Sequence, residues 1–402
     1  MKQTLKITLC LMLALLCLTQ PVFAVGTSAN TPAALQPTTA EILNAVEPLV
    51  EAQAEYYDFR HISVENVATT VTSSGAVETT CTLVFTMTLK ADSVEELPHV
   101  AGMLSELGMD TAAECYAAVA NTNVAAMNGA QLATYNIQAQ SAAQIEAYAE
   151  YIGEETTLAF GILLIGDGAG NITQVLGMGA TDENGSRHTF PLSGYFPETE
   201  EAMFQNGVHA VLDIRTQAAN VMALSSDIGN AYDRIGARNY AMRWSSEAPY
   251  SSTCPHGDHY IDLSKYNPAY HYNCHQDCAN FVSQALRAGC LPIDSTWYPS
   301  TASAAWNYVP SLYVYMYSTK GYWQTSSYAS CNAGGVIVNR NSEGGRPHIN
   351  MCVLNDTVNR AYAAHNADHN YKAYHASYWS ITPDFYTVFM AGDTTVMSVL
   401  QR

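Results

Sequence analysis

Cys278 is the residue whose type and setting point most directly to covalent chemistry. Cys278, Phe281, Val282, Ala285 and Leu286 recur at i, i+3, i+4, i+7 and i+8, which marks one face of a helix. Asn280, Ser283, Gln284 and Arg287 fall on the opposite face, so the spacing predicts a half-buried helix. Asp277 fits its N-cap and Gly289 its C-terminal stop. Cys278 then occupies the first turn, where unpaired N–H groups and the positive end of the helix dipole favour a thiolate and can receive an oxyanion. The neighbouring Asp277 charge opposes that thiolate. A buried structural cysteine that happens to start a helix is the competing reading.

A thiol nucleophile needs a base, which the fold rather than the sequence brings to it. His348 leads into the strand-like run Ile349 to Leu354, after a loop from Asn339 to Pro347, and Gly334 to Val338 reads as the partner strand. A second strand pattern, Ala361 to Asn366, brings His365 or Asn366 beside His348 if these strands are neighbours. Either one then holds the imidazole in a single tautomer. The order of helix-starting Cys, strand His and strand His or Asn carries the pattern. A different chemistry competes for the same region, since Cys254, His256, His259, His271, Cys274, His275 and Cys278 are ligand types that suit zinc. The segment lacks a paired ligand motif at its other end, so no metal ligands are assigned, and no cofactor is expected.

These residues need elements to hold them, and the chain supplies two sets. Met1 to Ala24 has a basic start, an apolar run from Ile7 to Leu18 and a small-residue end, which reads as a secretory signal. No later stretch approaches the ~20 apolar residues of a membrane span, so a soluble protein outside the cytoplasm without a stable membrane anchor is expected. The net charge of −19 falls to −21 once Lys2 and Lys6 leave with the signal. Phosphate backbones repel such a chain, which argues against nucleic acid as a partner. Residues 25–37 are rich in Ser, Thr, Ala and Pro and read as a flexible lead-in.

Residues 38–214 read as a separate α+β domain: a helix from Thr38 to Tyr57 with Thr39 as cap and Pro48 as a kink, and a hairpin of Ile62 to Val71 and Val77 to Leu89. A helical stretch from Val94 to Tyr151 and two further strands follow. His61, His99, His188 and His209 are scattered there without metal-ligand spacing, and Cys81 and Cys115 are that domain's one pair able to form a disulfide. Residues 215–230 read as a linker, and 231–402 as the second domain, which carries eight of the twelve histidines and six of the ten cysteines. The chemistry is expected there.

Tyr266-Asn267-Pro268-Ala269-Tyr270, then Asp277-Cys278-Ala279-Asn280-Phe281-Val282-Ser283-Gln284, then the Gly-Val-Ile and His348 strands, resemble an amidase domain family of secreted Gram-positive proteins. That family is related to the NlpC/P60 and CHAP members of the papain-like fold. The resemblance covers roughly Tyr232 to Asp393. It implies a helix packed on a short antiparallel sheet, with Cys278 as nucleophile, His348 as base and His365 as orienting residue. Tyr266 takes the place of a tyrosine that contributes to the site in the NlpC/P60 relatives, and Asp277, Asn280 and Asn366 are supporting candidates. The chain has Gly334-Gly335 where the family often shows Gly-Asp, and Ala279 where it often has Thr. The expected activity is hydrolysis of an amide in peptidoglycan or a nearby peptide, with cell-wall association. The alternative is a degenerate papain-like module that binds wall or protein, and a third reading is a zinc-binding extracellular domain.

Overall fold

The computed structural model describes residues 36–120, 127–181, 187–221, 232–246, 252–253, 260–273, 276–366 and 369–388. The expected signal and most of the lead-in lie outside the described residues, as do Cys254, His256, His259, Cys274 and His275. The fold is mixed α and β. The chain forms two compact units, each discontinuous in sequence: residues 1–90, 153–197 and 372–380, and residues 91–152, 198–371 and 381–402.

In the first unit α1 (Thr39–Ala45) starts with a capping box, in which the Thr38 hydroxyl accepts from the Glu41 amide and the Glu41 carboxylate accepts from the Thr38 amide. The sequence favoured Thr39 for this cap. Thr38 takes it because its extended backbone, φ −70° and ψ 158°, turns the hydroxyl onto the first turn. Pro48, expected to kink the helix or shift its start, lies in the first turn of α2 (Glu47–Ala54), where its missing N–H breaks no helical bond, so a second helix starts there. β1 (Tyr57–Val71) and β2 (Val77–Leu89) form an antiparallel hairpin, and β3 (Glu155–Gly166), β4 (Ile172–Thr181) and β5 (Arg187–Pro191) extend it strand by strand. Leu83, Phe85 and Met87 alternate onto the buried face of β2, as the sequence pattern required.

The second unit begins with α3 (Pro98–Leu107), α4 (Ala112–Ala120), α5 (Gly129–Ala149) and α6 (Glu200–Val221). Helices α3 and α6 touch backbone to backbone at two glycines: a Cβ on Gly102 would lie 2.0 Å from the Phe204 carbonyl, and one on Gly207 1.8 Å from the His99 carbonyl. Helix α6 continues past Ile214 into the start of the expected linker, and residues 222–230 lie outside the described residues. Among the described residues no helix is long and apolar enough to cross a membrane.

After α7 (Arg234–Arg243) comes α8 (Cys278–Ala288), followed by strands β6 (Trp323–Ser326), β7 (Val336–Asn339), β8 (His348–Asn355), β9 (Arg360–Ala364), β10 (His369–Ala373) and β11 (Asp384–Val388). Within this unit the order β9-β8-β7-β11-β6 is antiparallel throughout, and α8 packs on β8.

Helix α8 departs from the half-buried expectation, because, of its polar side, only Arg287 is exposed. Asn280 and Ser283 are fully buried, and Gln284 nearly so. The polar groups are matched one by one. Asn280 Nδ2 donates to the His271 carbonyl and to Asp277 Oδ1, both at 2.8 Å, and its Oδ1 accepts from Trp306 Nε1 at 2.7 Å. Ser283 Oγ donates to the Trp306 carbonyl at 3.0 Å and accepts from Trp297 Nε1 at 3.1 Å, and Gln284 Oε1 accepts from the Tyr240 hydroxyl at 2.5 Å. Periodicity could not reveal this, since two tryptophans and a tyrosine distant in sequence supply the partners. The C-terminal stop also differs: Gly289 keeps φ −76°, and Cys290, at φ 70°, is the left-handed residue that lets the Leu291 amide return to the Leu286 carbonyl.

Replacing Ser283 with Ala leaves the Trp297 N–H without a buried acceptor and is expected to cost about 1–3 kcal/mol in urea unfolding. A surface serine at this position would give a change near zero.

Candidate active site

The first turn of α8 and the first residues of β8 bring Cys278 against the residue that follows His348. The Cys278 sulfur meets the backbone N–H of Ile349, the residue after His348, together with the N–H groups of Ala279 and of Cys278 itself. Cys278 is 6% exposed. Burial pushes its thiol up to about 11; the three N–H groups pull the other way and the Asp277 charge adds to the rise. The helix start therefore does not win: desolvation of a thiolate exceeds what the dipole and amides return. His348 is half-buried at the start of β8, opposite Asn339 of β7. Its imidazole is driven down to about 4, first by burial and then by the charge of His369, while Asn350 acts in the opposite sense. At neutral pH the resting pair is a neutral thiol and a neutral imidazole.

His365 sits in a different relation from the one the sequence suggested. Its Nδ1 meets Asp277 Oδ2 at 2.6 Å and its Nε2 donates to the Trp244 carbonyl at 2.5 Å. Both ring nitrogens are engaged, so His365 has none left to hold His348. A carbonyl cannot donate, which puts a proton on Nε2, and the Nδ1–Oδ2 contact holds a second; His365 and Asp277 together are electrically neutral. The ring lies between Tyr266 and Phe281, with centroids 4.1 Å away on each side. Asn366 Oδ1 accepts from the Asp277 amide at 2.9 Å.

Asp277 makes no side-chain cap to α8, contrary to the cap expected of it. Its Oδ1 accepts from the Asn273 amide and from Asn280 Nδ2, both at 2.8 Å, and its Oδ2 is given to His365. The first N–H groups of the helix are thereby left without a capping carboxylate. Tyr266, 7% exposed, acts on the site by stacking on His365, and Asn280 acts by holding Asp277 in place.

Sequence reasoning missed Asn350. It lies two residues along β8 from His348, on the same strand face, and that i+2 spacing was the signal available. Its Nδ2 donates to Asn339 Oδ1 at 3.1 Å, while its Oδ1 is buried with no donor within bonding distance among the described residues. His369, also unassigned from sequence, is the neighbouring charge felt by His348.

Gly335, which departs from the pattern of the similar family, has no room for a side chain: a Cβ there would lie 2.7 Å from the Cys331 sulfur and 2.8 Å from the Tyr386 carbonyl. Cys81 and Cys115, the pair singled out in sequence, are both free thiols. Of the residues considered for zinc, His271 and Cys278 are described; His271 Nε2 is within 2.8 Å of Asn307 Oδ1. Among the described residues no three His, Cys, Asp or Glu side chains cluster as a metal site.

These elements fall inside one recognisable stretch. Residues 231–389 match the family model "Putative amidase domain". The matched stretch is less than half of the chain and holds Cys278, His348, Asn350 and His365. No curated protein and no solved structure matches the chain. The chemistry that this family's description points to is amide hydrolysis in general.

The raised thiol has a direct consequence for labelling. Alkylation of Cys278 by iodoacetamide should climb about tenfold per pH unit from pH 7 toward pH 10, following the thiolate fraction, with the Cys278→Ala variant as blank. A rate already at its plateau at pH 7 would contradict the balance described above.

Proposed function

We propose that the 231–389 domain hydrolyses an amide bond through a cysteine acyl-enzyme, acting outside the cytoplasm on peptidoglycan or cell-wall peptides. The observation that carries this reading is the placement of Cys278 beneath the N–H of Ile349, at an uncapped helix start and beside the strand that begins with His348. The leader-like residues 1–24 and the resemblance to wall-directed amidases support the location and substrate class.

In the first half-reaction the Cys278 sulfur attacks the carbonyl carbon while neutral His348 takes the thiol proton. The N–H groups gathered at the sulfur, those of Cys278, Ala279 and Ile349, are the donors for the developing oxyanion. The imidazolium so formed gives its proton to the leaving amine, and a thioester remains. Water then attacks the thioester, His348 takes its proton and returns it to the departing thiolate, and the acid leaves. Asn350 favours the charged form of His348, and its Oδ1, which meets no other donor among the described residues, is the acceptor for the imidazolium N–H. This makes Asn350, rather than His365 or Asn366, the orienting residue in our reading.

A second reading, a binding module on the same fold, draws on one observation: Cys278 is buried and its thiol stands at about 11. The deciding experiment incubates the full-length protein and its Cys278→Ala variant with Gram-positive peptidoglycan and follows released fragments by mass spectrometry. Fragments that require Cys278 establish the enzyme, and their termini name the bond. Pull-down of the protein on peptidoglycan, with no fragments from a folded and reduced sample, establishes the module.

The histidines separate in the same assay. His348→Gln is expected to lower kcat by about 10²–10⁴-fold with unfolding little changed. His365→Gln leaves the Asp277 charge buried without its partner and is expected to destabilise by about 3–5 kcal/mol. Asn350→Leu should lower kcat by about tenfold or more, the worth of a hydrogen bond to a charged group. For wild type, kcat/KM should hold from neutral pH down to its acid limb near pH 4, because His348 serves as base only while neutral. A limb near 6.5 would show that the imidazole is not held down by its surroundings.

A further inference from the structure

Cys331 and Cys352 form a second thiol cluster, in the interior of the same unit and separate from Cys278. Both are 0% exposed and neither is in a disulfide. The two thiols are hydrogen-bonded to one another, and Cys352 Sγ also lies 3.3 Å from the Cys331 carbonyl. The backbones are tied as well: the Gly334 amide donates to the Cys352 carbonyl at 2.8 Å and the Cys352 amide to the Gly335 carbonyl at 2.9 Å. Loop and strand are therefore tied together on both sides of the two thiols, and a Cβ on Gly335 would fall 2.7 Å from the Cys331 sulfur, so the glycine keeps that side of it open.

We propose that Cys331 and Cys352 are a modification site: an intramolecular disulfide that forms when the protein folds in the presence of a disulfide oxidant. With glutathione disulfide the step balances as two exchanges. One cysteine thiolate attacks a glutathione sulfur and expels glutathione thiolate, and the second cysteine then attacks the mixed disulfide and expels the other. The two cysteines are oxidised, the glutathione disulfide is reduced to two glutathiones, and the two protons end on them. Burial and the neighbouring sulfur hold the Cys331 thiol well above its ordinary range, so the exchange proceeds while the chain is still open rather than in the closed protein. The crosslink joins the loop ahead of β7 to β8, four residues beyond His348, and Cys331 already touches the Tyr386 carbonyl of β11 at 3.7 Å. It leaves Cys278 as a thiol.

The test refolds the full-length protein from reduced denaturant in a glutathione redox buffer, traps free thiols, digests without reductant and maps linked peptides by mass spectrometry. The expected result is a dominant Cys331–Cys352 peptide with Cys278 recovered as the trapped thiol. A Tm several degrees above that of the reduced protein should accompany it. That oxidised-minus-reduced difference should vanish in Cys331→Ala and in Cys352→Ala, and where either variant fails to fold the peptide map of the wild type decides alone. Recovery of both cysteines as trapped thiols after oxidative refolding, or a map dominated by any other pair, overturns the proposal.

Discussion

The contact between Asp277 and His365 is the constraint on which the candidate site depends. It joins the first residue of α8's approach to the end of β9, and through His365 Nε2 it reaches the Trp244 carbonyl just beyond α7. Tyr266 and Phe281 close both faces of the ring. Each partner needs the other, since a carboxylate 1% exposed would be an uncompensated buried charge without the imidazole. Because both Asp277 oxygens are committed, the carboxylate cannot swing onto the N–H groups of α8. An arrangement that looks like helix capping in the sequence instead keeps the helix start open at the nucleophile.

The protonation of the site follows from a contest of magnitudes. A helix start favours an anion by roughly 0.3–1 kcal/mol near a surface, less than one pKa unit at about 1.4 kcal/mol each. Full burial moves a thiol or imidazole by several units. Burial raises the Cys278 thiol and lowers the His348 imidazole, and both rest in their neutral forms. The consequence is mechanistic: charge must be created during attack, so groups that stabilise it then, the amides of Cys278, Ala279 and Ile349 and the unmatched Asn350 oxygen, matter more than any resting ion pair.

The sequence carried the elements of this site further than their partners. The 3.6-residue spacing found α8, and the strand-like runs found β7, β8 and β9, because local periodicity encodes which face is apolar. It also placed Cys278 in the first turn and His348 at the head of a strand. What it could not carry were contacts closed by residues far apart: Trp306 on Asn280, Trp297 on Ser283 and Trp244 on His365. Such partners turn an apparently exposed polar face into a buried, satisfied one. Placing His365 or Asn366 beside His348 rested on strand adjacency, which holds for β8 and β9, and the choice of His365 rested on the resemblance, but adjacency does not say which acceptors a ring nitrogen finds. In the amino-terminal half, Thr38 and Pro48 show the same limit at smaller scale, since one residue's backbone angle decides which threonine caps.

The Asp-Cys pairing itself shows how little a formal charge says before its partner is known. Read along the chain, an aspartate beside a would-be thiolate argues against nucleophilic chemistry. In three dimensions the same carboxylate is met at 2.6 Å by His365 Nδ1 and is held by Asn273 and Asn280 on its other oxygen, so its charge is answered by partners other than Cys278. Its effect on the thiol accordingly ranks below burial and below the amides of Ile349 and Ala279. Asp277 can therefore serve as the structural anchor of the loop from Tyr266 to Asn273 while adding little to the cost of the reactive anion, and the adjacency that looks adverse in the sequence becomes compatible with a cysteine nucleophile.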